Sequence, residues 1–301
     1  MYEAIPSPAC ATPPGRKRSY DPDAIESQLD RSPLELDAPQ RAAASRSSGR
    51  LARAADLLVS LSLADMRARY GRDPLRFLKW VLDSLALVAV YLVLRTILLD
   101  RGGPAPGLSL ACAVVPFHLM MMTVFNSMTT VRERGSIVLN VGFDRTLLPA
   151  SSAMTEAIAF CGSLLLLFAL MIVYSVGLTL AALWLIPTLV VTVLFTVACA
   201  YPSSLFGLWF PEWQNIARSL VRMLFFLAPG LVALNEIPES ARFWIELNPL
   251  TGIFESYRDA LLYGQAPAAW QLLYPLGFAL ILFAVFLPVY RREQSHIAKV
   301  I

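Results

Sequence analysis

Residues 157–211 read AIAFCGSLLLLFALMIVYSVGLTLAALWLIPTLVVTVLFTVACAYPSSLFGLWFP. The stretch is 55 residues long and carries no Asp, Glu, Lys or Arg. A bilayer core is crossed by about 20 apolar residues as helix, so this block holds two spans. Residues 108–131 and 260–290 are likewise uncharged. One such block fits a buried helix of a soluble protein, whereas three in one chain fit a membrane. Charged residues make up 16% of the chain, against about a quarter in soluble domains. The fold class expected is therefore an all-α polytopic membrane protein. Its six transmembrane helices fall at about 81–99, 108–131, 157–177, 185–208, 220–235 and 272–290.

The segments outside the spans differ in kind. Residues 1–50 hold seven prolines and no apolar h-region, so they read as a disordered tail and not as a signal peptide. Residues 51–80 are rich in Leu, Ala and Arg. At 100° per residue Met66, Tyr70, Phe77 and Val81 share one side, with Arg69, Arg72, Arg76 and Lys79 roughly opposite. That pattern predicts an amphipathic helix in the membrane interface. Gly71 and Pro74 interrupt it, with Asp73 placed as an N-cap and Pro74 as the first position of a new helix. Residues 236–264 are too polar to span and too regular for a plain loop. They predict two short re-entrant helices, one opened by Pro238, the next capped by Asn248 and opened by Pro249, with Gly264 as the closing cap.

Arginine and lysine set the orientation. Residues 1–79 carry 13 of the 25. With the N-terminus inside, the internal loops hold Arg132, Arg134, Arg145, Arg218 and Arg222, and the tail adds Arg291, Arg292 and Lys299. The outer segments hold Arg101, Arg242 and Arg258 beside Glu236, Glu239, Glu246, Glu255 and Asp259. The positive-inside rule then places both termini in the cytoplasm.

Several chemistries have no residues to perform them. No GxxxxGK[ST] loop for ATP occurs, nor GxSxG, nor HExxH. The four cysteines form no CxxC, and His118 and His296 have no ligand-spaced companions, so no metal site is expected. A net charge of +3 carries no argument for nucleic acid. The second, third, fourth and sixth expected spans lack the mid-membrane carboxylate of a proton-coupled carrier. What remains is a channel or a passive path driven by another protein's energy.

Four segments together resemble the permeases of bacterial ABC polysaccharide exporters, of the O-antigen, capsule and teichoic acid type. They are DMRARYGRDPLRFLKW at 65–80, FPEWQNI at 210–216, LNPLTGIFESYRDALLYG at 247–264 and the tail YRREQSHIAKVI at 290–301. The LNP followed by YR is the most distinctive; Gly71-Arg72-Asp73-Pro74 departs from the pattern. The resemblance implies a homodimer in the cell inner membrane, paired with a separate ATPase subunit that binds the ATP and Mg. It implies a substrate glycan carried on a polyprenyl lipid, and no cofactor in this chain. It makes the two short helices a gate on the outer side and the loop after the second span the ATPase contact.

Each candidate residue has a plainer reading beside the functional one. Arg132, Glu133, Arg134, Phe143 and Arg145 are either the ATPase coupling site or membrane anchors. Asn248 and Pro249 are a gate hinge, a helix cap, or both, and Glu255, Arg258 and Asp259 either pair across the gate or face water. Tyr91, Phe225 and Phe226 either line a glycan path or face lipid, and Arg69, Tyr70, Arg72, Arg76 and Lys79 form either an interfacial face or a solvated one. Two rival functions stay open: an ABC permease for a drug or lipid without sugar, and an intramembrane enzyme acting on lipid-linked sugars.

Overall fold

The longest uncharged runs become the longest helices. In the computed structural model, which describes residues 50–70, 75–94, 105–133 and 145–300, the helices are α1 (Arg50–Tyr70), α2 (Leu75–Val93), α3 (Pro106–Glu133), α4 (Leu147–Val173), α5 (Leu185–Trp209), α6 (Gln214–Leu227), α7 (Glu239–Glu246), α8 (Pro249–Arg258) and α9 (Ala269–Val300). Short 3-10 turns occupy Leu180–Trp184, Pro211–Trp213 and Leu234–Glu236, and a π turn follows α8 over Asp259–Tyr263. No strand occurs among the described residues. The chain is all-helical as expected, and four helical stretches are long and apolar enough to cross a membrane: Pro106–Glu133, Leu147–Val173, Leu180–Trp209 and Ala269–Glu293.

Within the unit Ala54–Ile301, α3 sits at the centre. It packs against α2, α4, α5 and α8, and 78% of its apolar window is buried, against 11% for α9. Small residues allow the closest approach. Gly207 of α5 lies against the backbone of Met128 on α3, where an added Cβ would overlap the Met128 carbonyl. Such contacts drive helix association where burying apolar surface gains nothing over lipid. The hydroxyls of α5 return to their own helix. Thr188, Thr192 and Thr196 donate to the carbonyls of Trp184, Thr188 and Thr192 at 2.8, 2.7 and 2.7 Å, which satisfies them without water.

Four element boundaries differ from those expected. The third span begins at Leu147 and not at 157. The added turns, LLPASSAMTE, mix apolar and hydroxylic residues, with Leu148 fully buried, and they bring Glu156 into the helix. Glu156 is buried, and Asn126 Nδ2 of α3 donates to its Oε1 at 2.6 Å, so the third span does contain a carboxylate. The fifth span, expected over 220–235, is instead the 14-residue α6, Gln214–Leu227. At 1.5 Å per residue it reaches about 21 Å, short of a bilayer core of about 30 Å. Pro229 ends it early by holding Ala228 extended at ψ 164°. The sixth span continues unbroken through the expected tail to Val300. The interfacial segment expected over 51–80 is divided where Gly71 and Pro74 predicted a break, but its second helix does not stop before the first expected span: α2 runs from Leu75 through Val93. α1 itself docks by Ser62 Oγ donating to the Ser151 carbonyl of α4 at 3.2 Å.

Candidate gate and transport path

The LNP segment builds the junction read from it. Asn248 caps α8 by accepting from the Leu250 N–H at 3.1 Å, with Pro249 as the first helical residue. The preceding α7 ends one residue earlier, and Tyr274 of α9 donates to the Leu247 carbonyl at 2.7 Å. At the far end Gly264 closes the π turn in the left-handed region at φ 64°, ψ 32°. Only glycine takes that conformation without a Cβ penalty. The two helices predicted over 236–264 are therefore present, joined at Asn248-Pro249.

The charges of α8 are paired within the subunit. Arg258 is fully buried, and its Nη1 meets Glu255 Oε1 at 2.6 Å. Its Nε donates to the Ser109 carbonyl of α3 and its Nη2 to the Gly230 carbonyl, both at 3.2 Å. Glu255 Oε1 also accepts from the Leu234 N–H at 3.0 Å. One guanidinium thus ties α8 to the first turn of α3 and to the turn after α6, and Glu255 extends the tie to Leu234. The like-charged i,i+4 pair Glu255 and Asp259 is relieved on both sides. Arg258 neutralises the first, and Gln265 and Gln271 donate to the two oxygens of Asp259 at 2.7 and 2.8 Å. Nearby, Tyr257 and Thr192 of α5 share a hydrogen bond of 3.3 Å. The two glutamines carry no sequence signal beyond being polar residues beside an uncharged run.

Two cavities flank α8. A polar one of about 450 Å³ is lined by Glu246, Glu255, Asp259, Tyr263, Trp270 and Gln271. Burial holds the Tyr263 phenol above its ordinary value, with the Asn235 amide pulling it back, so it remains a neutral hydroxyl. An apolar cavity of about 570 Å³ lies between α3, α5, α6, α8 and α9, with Met120, Val124, Phe195, Leu224, Asn248 and Pro249 in its wall.

The three aromatic candidates come together, and one of them is buried. Phe225 is fully buried; it stacks on Tyr91 at 4.8 Å and meets Phe117 and Phe254 at 5.0 and 6.2 Å. It is a core residue beneath α8. Tyr91 is half-buried, and Phe226, exposed, lies edge-on to it at 6.0 Å. Arg132 and Glu133 are exposed at the last turn of α3, and Arg145 is half-buried just before α4. Arg134 and Phe143 lie outside the described residues, as do Arg72, Asp73 and Pro74. Arg69 and Tyr70 close α1, and Arg76 and Lys79 fall at the start of α2. Among the described residues no three His, Cys, Asp or Glu gather as a metal site.

No family model matches the chain. Individual proteins do. The O-antigen export system permease protein RfbA of Klebsiella pneumoniae is 25% identical over 248 residues, which is 82% of this chain and 95% of that protein. Its namesake in Myxococcus xanthus is 25% identical over 245 residues, 81% of this chain and 94% of that one. The polysialic acid transport protein KpsM of Escherichia coli is 24% identical over 247 residues, 78% and 93% of the two lengths. The likeness carried by four short segments thus extends along most of the chain, and its relatives are O-antigen export permeases and a polysialic acid transport protein.

Proposed function

We propose that this chain is the membrane subunit of an ABC exporter that moves a lipid-linked polysaccharide across the inner membrane, driven by a separate ATPase subunit. The similarity to O-antigen and polysialic acid export proteins over nearly their whole length carries the reading. The absence of any phosphate-binding loop from the sequence agrees with an energy source on another chain. In this reading both termini and residues 132–150 are cytoplasmic, and residues 236–264, with α7 and α8, lie on the outer side. Arg132 and Glu133 end α3 exposed, where a docking ATPase would meet them, with Arg134, Phe143 and Arg145 on the same loop. The chain works as a homodimer, a role that suits the apolar surface α9 leaves open.

Asn248 and Pro249 set the angle between the gate helices. Glu255 and Arg258 support the gate from within the subunit, a role assigned by their burial. Tyr91 and Phe226 remain the path-lining aromatics, with Phe225 behind them. Deleting the gene should remove a surface polysaccharide and cause its lipid-linked form to accumulate inside. An unchanged surface glycan in the deletion strain would overturn the reading.

A further inference from the structure

Helix α6 carries two arginines that the fold does not satisfy. Arg218 and Arg222 are four residues apart and so project from one face. Both guanidiniums lie over the same ring, Phe125 of α3, with Cζ at 5.9 and 5.4 Å from its centroid. Arg218 Nε is buried with no hydrogen-bond partner. Among the described residues neither arginine has an ion pair, in contrast to Arg258, which pairs with Glu255. Arg218 is half-buried and Arg222 exposed, and two positive charges held over one ring repel each other. An ordinary membrane anchor would extend its head to the interface and leave no donor buried. Arg218 instead holds its Nε out of water against α3, with Arg222 at the exposed edge of the same ring.

The neighbouring faces of α6 indicate what would satisfy them. Ala217, Val221 and Leu224, on the next face around the helix, line the apolar cavity together with Val124 and Met128 of α3. The same two helices therefore present a cationic, donor-rich notch and, beside it, an apolar slot. A ligand matched to both has an anionic head with several acceptor oxygens and a long apolar tail. Arginine meets phosphate oxygens with its planar fork of donors, two bonds at a time.

The geometry points to Arg218 and Arg222 as a binding site for the phosphate groups of the exported glycan's polyprenyl carrier, with the prenyl chain entering the apolar cavity. This rests on the reading given under Proposed function. Phospholipid headgroups share the phosphate chemistry, so the test separates the two sources.

The full-length permease, purified in a neutral maltoside detergent, is titrated with undecaprenyl diphosphate, with undecaprenol and with phosphatidylglycerol. The wild type should bind the diphosphate at least tenfold tighter than undecaprenol, and phosphatidylglycerol should compete weakly. The double variant R218Q/R222Q should lose that preference while still binding undecaprenol, which also shows that it is folded. R218K/R222K should keep part of the preference, and R291Q, a charge removed elsewhere, all of it. The site is overturned if the wild type shows no preference or if R218Q/R222Q retains it. Equal competition by phosphatidylglycerol would overturn the carrier as its ligand. The measurement uses neither glycan nor ATP. A phosphate preference lost in R218Q/R222Q, alongside an unchanged surface glycan in the deletion strain, would overturn the export reading and leave the site; the opposite pair of results would overturn the site alone.

Discussion

Arg258 on α8 and the pair Arg218 and Arg222 on α6 are the same residue type in neighbouring helices, and their surroundings are opposite. Arg258 is fully buried and uses three nitrogens on three acceptors, one of them a carboxylate. Arg218 and Arg222 have a ring beneath them and no acceptor among the described residues. A charge taken out of water must be matched, and a matched one becomes structural because removing either partner strands the other. An unmatched one contributes little to the fold and is free to meet a ligand. The difference separates the residues that hold the gate segment in place from those that can act on a substrate.

The largest effect should follow from breaking the matched set. Glu255→Gln keeps the shape and the acceptor for the Leu234 N–H but leaves Arg258 as an uncompensated buried charge. The expected cost is about 3–5 kcal/mol. The purified variant should aggregate on mild heating under conditions that leave the wild type monodisperse. If its thermal stability equals the wild type's, Arg258 is not the tie described here.

That tie was only partly legible in the sequence. The caps were plain, because Asn248-Pro249 and Gly264 act through their own backbone neighbours and the structure places both as read. The possibility that Arg258 relieves the Glu255 and Asp259 repulsion follows from their spacing alone. Its bonds to Ser109, 149 residues away, and to Gly230 have no local signature. Hydropathy located the long spans and misjudged their ends. The first turns of α4 are held by Leu148, buried among Val131, Leu205 and Tyr290 of other helices, and by the bond from Asn126 to Glu156, and neither partnership has a local signature. The apolar run after Leu220 continues past Pro229, so hydropathy carried the fifth span onward where the backbone could not follow. Phe225 and Phe226 are adjacent in sequence and identical in type. Which of them is buried depends on Tyr91, Phe117 and Phe254 of three other helices.

A middle-sized effect tests whether matching extends to the polar cavity. Gln271→Leu removes the donor to Asp259 Oδ2 and the acceptor for the Ala268 N–H. Leaving such groups unsatisfied costs about 1–3 kcal/mol. The loss should be smaller than in Glu255→Gln, because Gln265 still holds the other oxygen of Asp259. A loss equal to or larger than that of Glu255→Gln would show that the glutamine contacts, and not the arginine, are the main support of α8.

The unmatched pair should behave in the reverse way. Arg218→Gln and Arg222→Gln should each shift thermal stability by no more than about 0.5 kcal/mol, since no bond is broken. A fall in stability comparable to that of Glu255→Gln would mean that these arginines are structural too, and the contrast would collapse.

A small effect also belongs to the junction between the gate helices. Asn248 contributes one hydrogen bond to the Leu250 N–H, and a cap of this kind is worth about 1 kcal/mol. Asn248→Ala should therefore leave expression and folding near the wild type. The junction has other supports: the Thr251 N–H donates to the Asn248 carbonyl at 2.9 Å, and Tyr274 still holds Leu247. What changes is how firmly the first turn of α8 is fixed, beside an apolar cavity whose wall includes Asn248 and Pro249. Asn248→Asp restores an acceptor to the cap and should restore stability. If the angle at this junction controls passage, Asn248→Ala should alter export out of proportion to its small stability change, and Asn248→Asp should bring both back together. Export in Asn248→Ala that matches the wild type within error would make Asn248 a cap and nothing more, and the hinge would have to be sought elsewhere in residues 236–264.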